Sequence, residues 1–144
     1  MFSKTCEYGI KSTLFIATQS LQDRRVSLKE IAEEIDSPVA FTAKILQRLV
    51  KADIIGSVKG PNGGFKIDRE QLTQLKLYQI VRAIDGDSIY NGCGLGLKQC
   101  NEDQPCPLHD KFVAIRGNLK TMLAETNVYE LATGIETGLT CLKR

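Results

Sequence analysis

The sequence predicts a mainly α-helical fold with a small β-hairpin wing: a winged helix-turn-helix domain followed by a long dimerisation helix. Three observations carry this. Two short amphipathic segments, opened by Ser27-Leu28-Lys29-Glu30 and by Ser37-Pro38, are joined by a tight turn around Asp36. A glycine-rich stretch, Lys59-Gly60-Pro61-Asn62-Gly63, separates two short apolar runs as a hairpin turn would. Further on, Leu108, Phe112, Ile115, Leu119 and Met122 recur at spacings of 4, 3, 4 and 3, the seam of a coiled-coil-like helix.

Taken in order, Lys4 to Leu21 places Cys6, Ile10, Leu14 with Thr13, Ala17 and Leu21 on one stripe at helical spacing. Ser27 and Glu30 have the form of a capping box, opening a short helix that buries Leu28, Ile31, Ala32 and Ile35. Ser37 as N-cap and Pro38 at the first helical position start a third helix, running to Lys51. Phe41, Ile45, Leu46 and Leu49 point inward on it, and Ala40, Lys44, Gln47 and Lys51 form the opposite stripe. Ile54 to Val58 and Gly64 to Ile67 read as the strands of the wing. Leu77 to Asp85 is a further helix, with Leu77, Ile80, Val81 and Ile84 apolar and Asp85-Gly86 ending it. The expected organisation is a DNA-binding domain over residues 1–85, a cysteine-rich loop over 86–107, and a dimerisation helix with a C-terminal tail over 108–144.

The chain has 144 residues, 42% of them hydrophobic and 25% charged, which suits a folded domain with a core of its own. No run approaches the roughly 18 apolar residues of a membrane span. The opening MFSKTCEYGIKS lacks the basic-then-apolar pattern of a secretory signal, so a cytoplasmic location is expected. The net charge of +2 is unevenly spread: between Ser37 and Ile67, Lys44, Arg48, Lys51, Lys59 and Lys66 face only Asp53.

The second helix of a helix-turn-helix enters the major groove of double-stranded DNA with its N-terminal end foremost. Ser37, Val39, Ala40, Ala43 and Lys44 are therefore expected near base edges, and Arg48 and Lys51 near phosphates, with Pro38 and Gln47 on the same surface. Lys59, Gly60, Pro61, Asn62, Gly63 and Gly64 form the wing, whose glycines permit close approach of backbone to DNA. An enzyme is not expected. There is one histidine, no nucleophile–base arrangement, and Gly60 to Gly64 lies in a hairpin rather than between a strand and a helix.

Five cysteines in a reducing compartment point to ligands or redox thiols rather than a disulfide framework. Cys93, Cys100 and Cys106 cluster, with six and five residues between them, and His109 follows three positions later. Thiolates with imidazole suit zinc or an iron–sulfur cluster. Zinc sites favour CxxC knuckles, so the wide spacing suits a larger object. A thiol switch, for instance Cys100 with Cys106, is the alternative. Cys6, on the apolar stripe of the first helix, and Cys141, near the end of the chain, are expected to be structural or indifferent.

With Ser37-Pro38, the wing Val58-Lys59-Gly60-Pro61-Asn62-Gly63-Gly64-Phe65, the Ile84-Asp85-Gly86 turn and the three-cysteine loop in view, the chain resembles the winged-helix regulator family that contains IscR, NsrR and CymR. The resemblance covers nearly the whole chain. It implies a homodimer whose recognition helices read major grooves and whose wings reach adjacent minor grooves. Members without a cluster lack the three cysteines, so the resemblance implies an iron–sulfur cluster, 2Fe-2S or 4Fe-4S, on Cys93, Cys100 and Cys106. Its fourth ligand is either a histidine at His109 or an acidic residue of the partner subunit at the position of Glu7. The implied function is that of a transcriptional regulator, read as a repressor, whose operator affinity follows the cluster as it senses redox state, nitric oxide or cluster supply.

Overall fold

Helix α1 (Lys4–Ser20) is surrounded. Eight of its residues are buried, among them Cys6, Leu14, Ile16 and Ala17, because α3 (Val39–Lys51), α5 (Leu77–Asp85) and α8 (Val128–Glu136) all pack on it. The buried hydroxyls of Thr13 and Thr18 cost little, since each donates back to a carbonyl of its own helix, Gly9 O and Leu14 O, at 2.8 Å. Ser3 caps the helix twice over. Its Oγ accepts from the Cys6 amide at 3.0 Å and donates to Asp85 Oδ1 at 2.7 Å, tying the start of α1 to the end of α5. This computed structural model describes residues 1–143.

Helix α2 (Leu28–Glu34) opens on the expected capping box: Ser27 Oγ accepts from the Glu30 amide at 3.2 Å, and Glu30 Oε2 accepts from the Ser27 amide at 2.8 Å. Asp36 then adopts a positive φ of 54°, and the Ser37 amide donates to Ala32 O at 3.0 Å, closing the turn. That bond displaces the predicted start of α3 by one residue. Ser37 belongs to the turn, Pro38 is the N-cap and Val39 the first helical residue. Ser37 Oγ is buried without a partner, and the first turn is held instead by Thr42 Oγ1, which donates to Pro38 O at 2.9 Å. Thr42, Ile45, Leu46 and Leu49 are buried, while Phe41 is only half-buried, its ring edge-on to Tyr8.

The wing pairs β1 (Gly56–Val58) with β2 (Gly64–Lys66) antiparallel, Gly56 opposite Lys66 and Val58 opposite Gly64. β1 is shorter than the predicted run from Ile54, because Ile54 and Ile55 turn into the core, each 3% exposed. Val26 and Phe65 exchange backbone hydrogen bonds of 3.1 and 2.8 Å, fastening the wing to the segment before α2. Gly64 is required there: its φ is +144°, and a β-carbon would stand 2.7 Å from Val26 O.

Three helices were not anticipated. α4 (Arg69–Gln74) buries only Leu72, too little to leave a periodic signal. α6 (Ser88–Asn91) is a single turn inside the cysteine-rich loop and buries nothing. The stretch read as a C-terminal tail contains α8, which returns to the N-terminal helices. It buries Val128 and Ala132 against α1 and α4, and Leu77 N and Val128 N pair with Thr126 O and Leu75 O at 3.0 and 2.9 Å. α7 (His109–Glu125) is the predicted dimerisation helix, and only His109 and Leu123 are buried on it.

Ser27→Ala is expected to lower stability by about 1 kcal/mol, read as an earlier urea midpoint at unchanged slope. The Ser27 amide holds the Glu30 carboxyl below the usual carboxylate range. A depressed folded-state pKa contributes stability that is full above the unfolded value, about 4.3, and fades as pH falls through the folded one. The deficit of Glu30→Gln relative to the wild type should therefore narrow below about pH 4.

Candidate functional site

Helix α3 presents Val39, Ala40, Lys44, Gln47, Arg48 and Lys51 to solvent, with Ala43 and Ser37 half-buried beside them. Val39, 49% exposed, is an apolar residue left uncovered at the leading end of the helix. On the wing, Lys59, Gly60, Pro61 and Asn62 are exposed, and Gly63 and Gly64 are half-buried. The three ion pairs among the described residues leave Lys44, Lys51 and Lys59 without an acidic partner. Arg48 behaves differently from its neighbours, because its Nη1 donates to Ile84 O at 3.3 Å and so caps the end of α5. Arg25 was not singled out from the sequence. Its Nη1 donates to Asn62 O at 3.2 Å, which brings a further cation to the wing tip. The spacing of Arg25 from the wing gave no signal, since the Val26–Phe65 bridge that brings them together is tertiary.

The folded chain brings the three loop cysteines and His109 into two pairs. Cys93 Sγ and Cys106 Sγ are 3.8 Å apart, and Cys100 Sγ and His109 Nδ1 are 3.4 Å apart. Two ligands on one tetrahedral metal ion, with bonds of about 2.3 Å to sulfur and about 2.0 Å to nitrogen, stand about 3.8 Å and about 3.5 Å apart. Each pair thus has the spacing of a shared metal centre. Among the described residues, no three Cys, His, Asp or Glu side chains converge closely enough to hold one ion. The close thiol pair is Cys93 with Cys106, not Cys100 with Cys106. Glu7 stays on the first turn of α1, where Lys4 pairs with its carboxylate at 3.3 Å.

The surroundings favour anionic sulfur. The amides of Leu95 and Leu97, with help from the Cys106 thiol and the Gly96 amide, hold the Cys93 thiol below its ordinary value. Cys6 is the opposite case. Burial, and then the charge of Asp85 beside it, push its thiol up to about 12, so it is a packing residue. Cys141 is exposed and apart from the site.

The loop rests on α7. Gly94 lies so close to the ring of Phe112 that any β-carbon would occupy the ring's place. The His109 amide donates to Cys106 O at 3.0 Å, so the third cysteine leads directly into the first turn of the helix. Further along α7, Arg116 donates from Nη2 to Cys100 Sγ at 3.3 Å and from Nη1 to Gly92 O. The sequence reading missed Arg116, which is one of many charged residues on a helix surface and is distinguished only by what the loop places against it.

With this geometry in hand, comparison with known proteins is informative. The family model Rrf2, described as an iron-dependent transcriptional regulator, matches residues 2–134. A relative from Aquifex aeolicus that carries the name HTH-type transcriptional regulator is 29% identical over 133 residues, 91% of this chain and 90% of its own. Among solved structures, CymR, the global cysteine regulator of B. subtilis, superposes with a TM-score of 0.73 at 20% identity, covering 92% of this chain and 96% of that one. IscR of T. potens does so with a TM-score of 0.73 at 19% identity, covering 98% and 92%. The two structures establish the winged-helix fold. Both the matching family and the similar proteins are transcriptional regulators and not enzymes.

In reduced, metal-free protein near neutral pH, iodoacetamide should modify Cys93 well before Cys6, and Cys6 only on unfolding. Peptide mass spectrometry over a time course reads this order; early labelling of Cys6 would contradict the burial assigned to it.

Proposed function

The chain belongs to the Rrf2 family of transcriptional regulators, and on that premise we propose that it binds operator DNA as a homodimer whose affinity is set by an iron–sulfur cluster on Cys93, Cys100, Cys106 and His109. The observation that carries this reading is the sorting of four soft donors into two pairs at tetrahedral spacing, 3.8 and 3.4 Å. A four-iron cluster takes one protein ligand per iron, and a two-iron cluster takes two, so the pairing favours 2Fe-2S. His109 is then the fourth ligand, and Glu7, already paired with Lys4, a charge complementing the start of α1. When bound, the cluster supplies a redox-active and labile centre that oxidants or nitric oxide can reach. Thiols stay reduced in the cytoplasm, where such a protein would work.

The dimer rests on α7. Leu108, Ile115 and Met122 of the predicted seam are 40%, 53% and 43% exposed, with Phe112 and Leu119 half-buried between them, an apolar face that one protomer leaves partly uncovered and a second copy of the helix would bury. Two recognition helices would then meet half-sites about 34 Å apart. Val39, Ala40, Ala43 and Lys44 would face base edges, Ser37 contributing no exposed hydroxyl, and Lys51 and Lys59 would face phosphates. Arg48, tied to Ile84 O, must exchange that bond to reach DNA. Because Cys106 leads into α7, a shift of the loop displaces the dimer helix and alters the half-site match; occupancy of the operator represses.

A thiol switch is the second reading, favoured by the Cys93–Cys106 separation of 3.8 Å. A peroxide-class oxidant would take two electrons and the two thiol protons as the sulfurs close to about 2.05 Å.

Anaerobic purification with visible absorption, iron and sulfide analysis separates the two readings. A brown wild type with equal iron and sulfide, bleached in Cys100→Ala and destabilised in His109→Ala but not in Glu7→Ala, is the expected result. A colourless, iron-free protein that forms a reversible Cys93–Cys106 disulfide would establish the switch instead. Equal operator affinity for cluster-loaded and cluster-free dimers would remove the sensing role.

For the DNA face, Lys59→Ala should weaken binding to specific and non-specific duplexes alike and reduce the salt-dependence slope by about 1. An unchanged slope would take Lys59 off the phosphate backbone.

A further inference from the structure

We propose that Arg116 is the positioning residue that couples the cysteine loop to the dimerisation helix, clasping Cys100 Sγ and Gly92 O in one guanidinium. The proposal deepens the cluster reading above and rests on it only for its redox consequence.

Arg116 stands two helical turns beyond His109, on the same face of α7. Together they flank one sulfur: His109 Nδ1 is 3.4 Å and Arg116 Nη2 3.3 Å from Cys100 Sγ. The second prong of the guanidinium donates to Gly92 O, immediately before Cys93. One side chain therefore grips the loop next to its first cysteine and at its second. The planar guanidinium holds its two donors on separate nitrogens in a fixed, spread fork that spans both acceptors, whereas a lysine offers its donors from a single atom on a flexible stem. Arg116 is half-buried and takes part in none of the ion pairs among the described residues, so its charge is directed at the loop.

α7 packs on α5 and α6 as well as on the loop. Between His109 and Leu123 no residue of the helix is buried. Its contacts to the protomer include the Gly94–Phe112 packing and the Arg116 clasp, both made to the loop. Ile115, on the exposed apolar face, directly precedes Arg116. Displacing Cys100 removes the sulfur from the clasp and loosens the helix segment that carries that face. The same guanidinium has a second effect, since a cationic N–H donor withdraws charge from the sulfur and favours the more reduced form of a cluster bound to it. It also lines a groove of about 430 Å3 that opens on Cys100 and His109, so it stands where small molecules would approach that sulfur.

The test compares full-length wild type, Arg116→Gln and Arg116→Lys, each checked by circular dichroism for native helix content. In metal-free protein, amide exchange over 92–100 and 109–116 should be about tenfold faster in Arg116→Gln, as for loss of a charge-assisted bond, with Arg116→Lys between the two. In cluster-loaded protein of matched iron and sulfide, the midpoint potential should move negative in Arg116→Gln and return toward the wild type in Arg116→Lys. Unchanged exchange in both variants would overturn the clasp. Faster exchange with an unchanged potential would reduce Arg116 to a structural tie and overturn the positioning role. A wild type that takes up no cluster would defeat the preceding reading, while the exchange comparison on metal-free protein would still decide the clasp.

Discussion

Burial of α1 between three other helices is the constraint on which the rest of the structure depends. Because its flanks are lined by small residues such as Ala17 and by Thr13 and Thr18, which satisfy their hydroxyls within the helix, partners approach on several sides, and the buried Ser12 hydroxyl is the one left without a partner among the described residues of α1. The Ser3 hydroxyl, shared between the Cys6 amide and Asp85, then locks the start of α1 to the end of α5. That single contact places the Asp85–Gly86 turn, and with it the point from which the cysteine-rich loop departs. It also explains why one cysteine of the chain is inert, for Cys6 is enclosed there beside a carboxylate.

The cysteine-rich loop is organised by a helix rather than by a core. Its glycines allow it to lie flat on α7, where Gly94 meets Phe112, and its sulfurs are sorted into pairs by what α7 offers: His109 and Arg116 to Cys100, and nothing to Cys93, which is served by the loop's own amides. Loop and helix pack on each other, and α7 joins the rest of the protomer through its contacts with α5 and α6 and through buried Leu123. A loop and helix attached in this way can shift without disturbing the packing of α1. The surface formed by α3 and the wing is held more firmly: the wing is fastened to Val26 by two backbone bonds, and α3 is pinned by four buried side chains.

Much of this was legible in residue order. The capping box at Ser27 and Glu30, the inward stripe of α3, the glycine wing and the Leu77–Asp85 helix depend on local chemistry and on periodicity, which a linear reading can see. The α3 start slipped by one residue because the Ser37 amide closes the turn onto Ala32, a bond across the turn that no propensity at Ser37 or Pro38 announces. α4 escaped because a single buried leucine makes no period, and α8 because its value lies in covering α1 and α4, two elements far away in sequence.

By itself the sequence determined the chemistry available: three soft sulfurs and one imidazole in a flexible stretch, and a basic segment bearing a helix-turn-helix and a wing. Tertiary structure alone decided how those groups are used. It paired Cys93 with Cys106 and Cys100 with His109, diverted Arg48 to the end of α5, and gave Arg116 a sulfur to hold. The physical reason is range. Caps, turns and stripes are set by bonds within about one or two helical turns, whereas the grouping of ligands depends on which distant surfaces the core brings into contact.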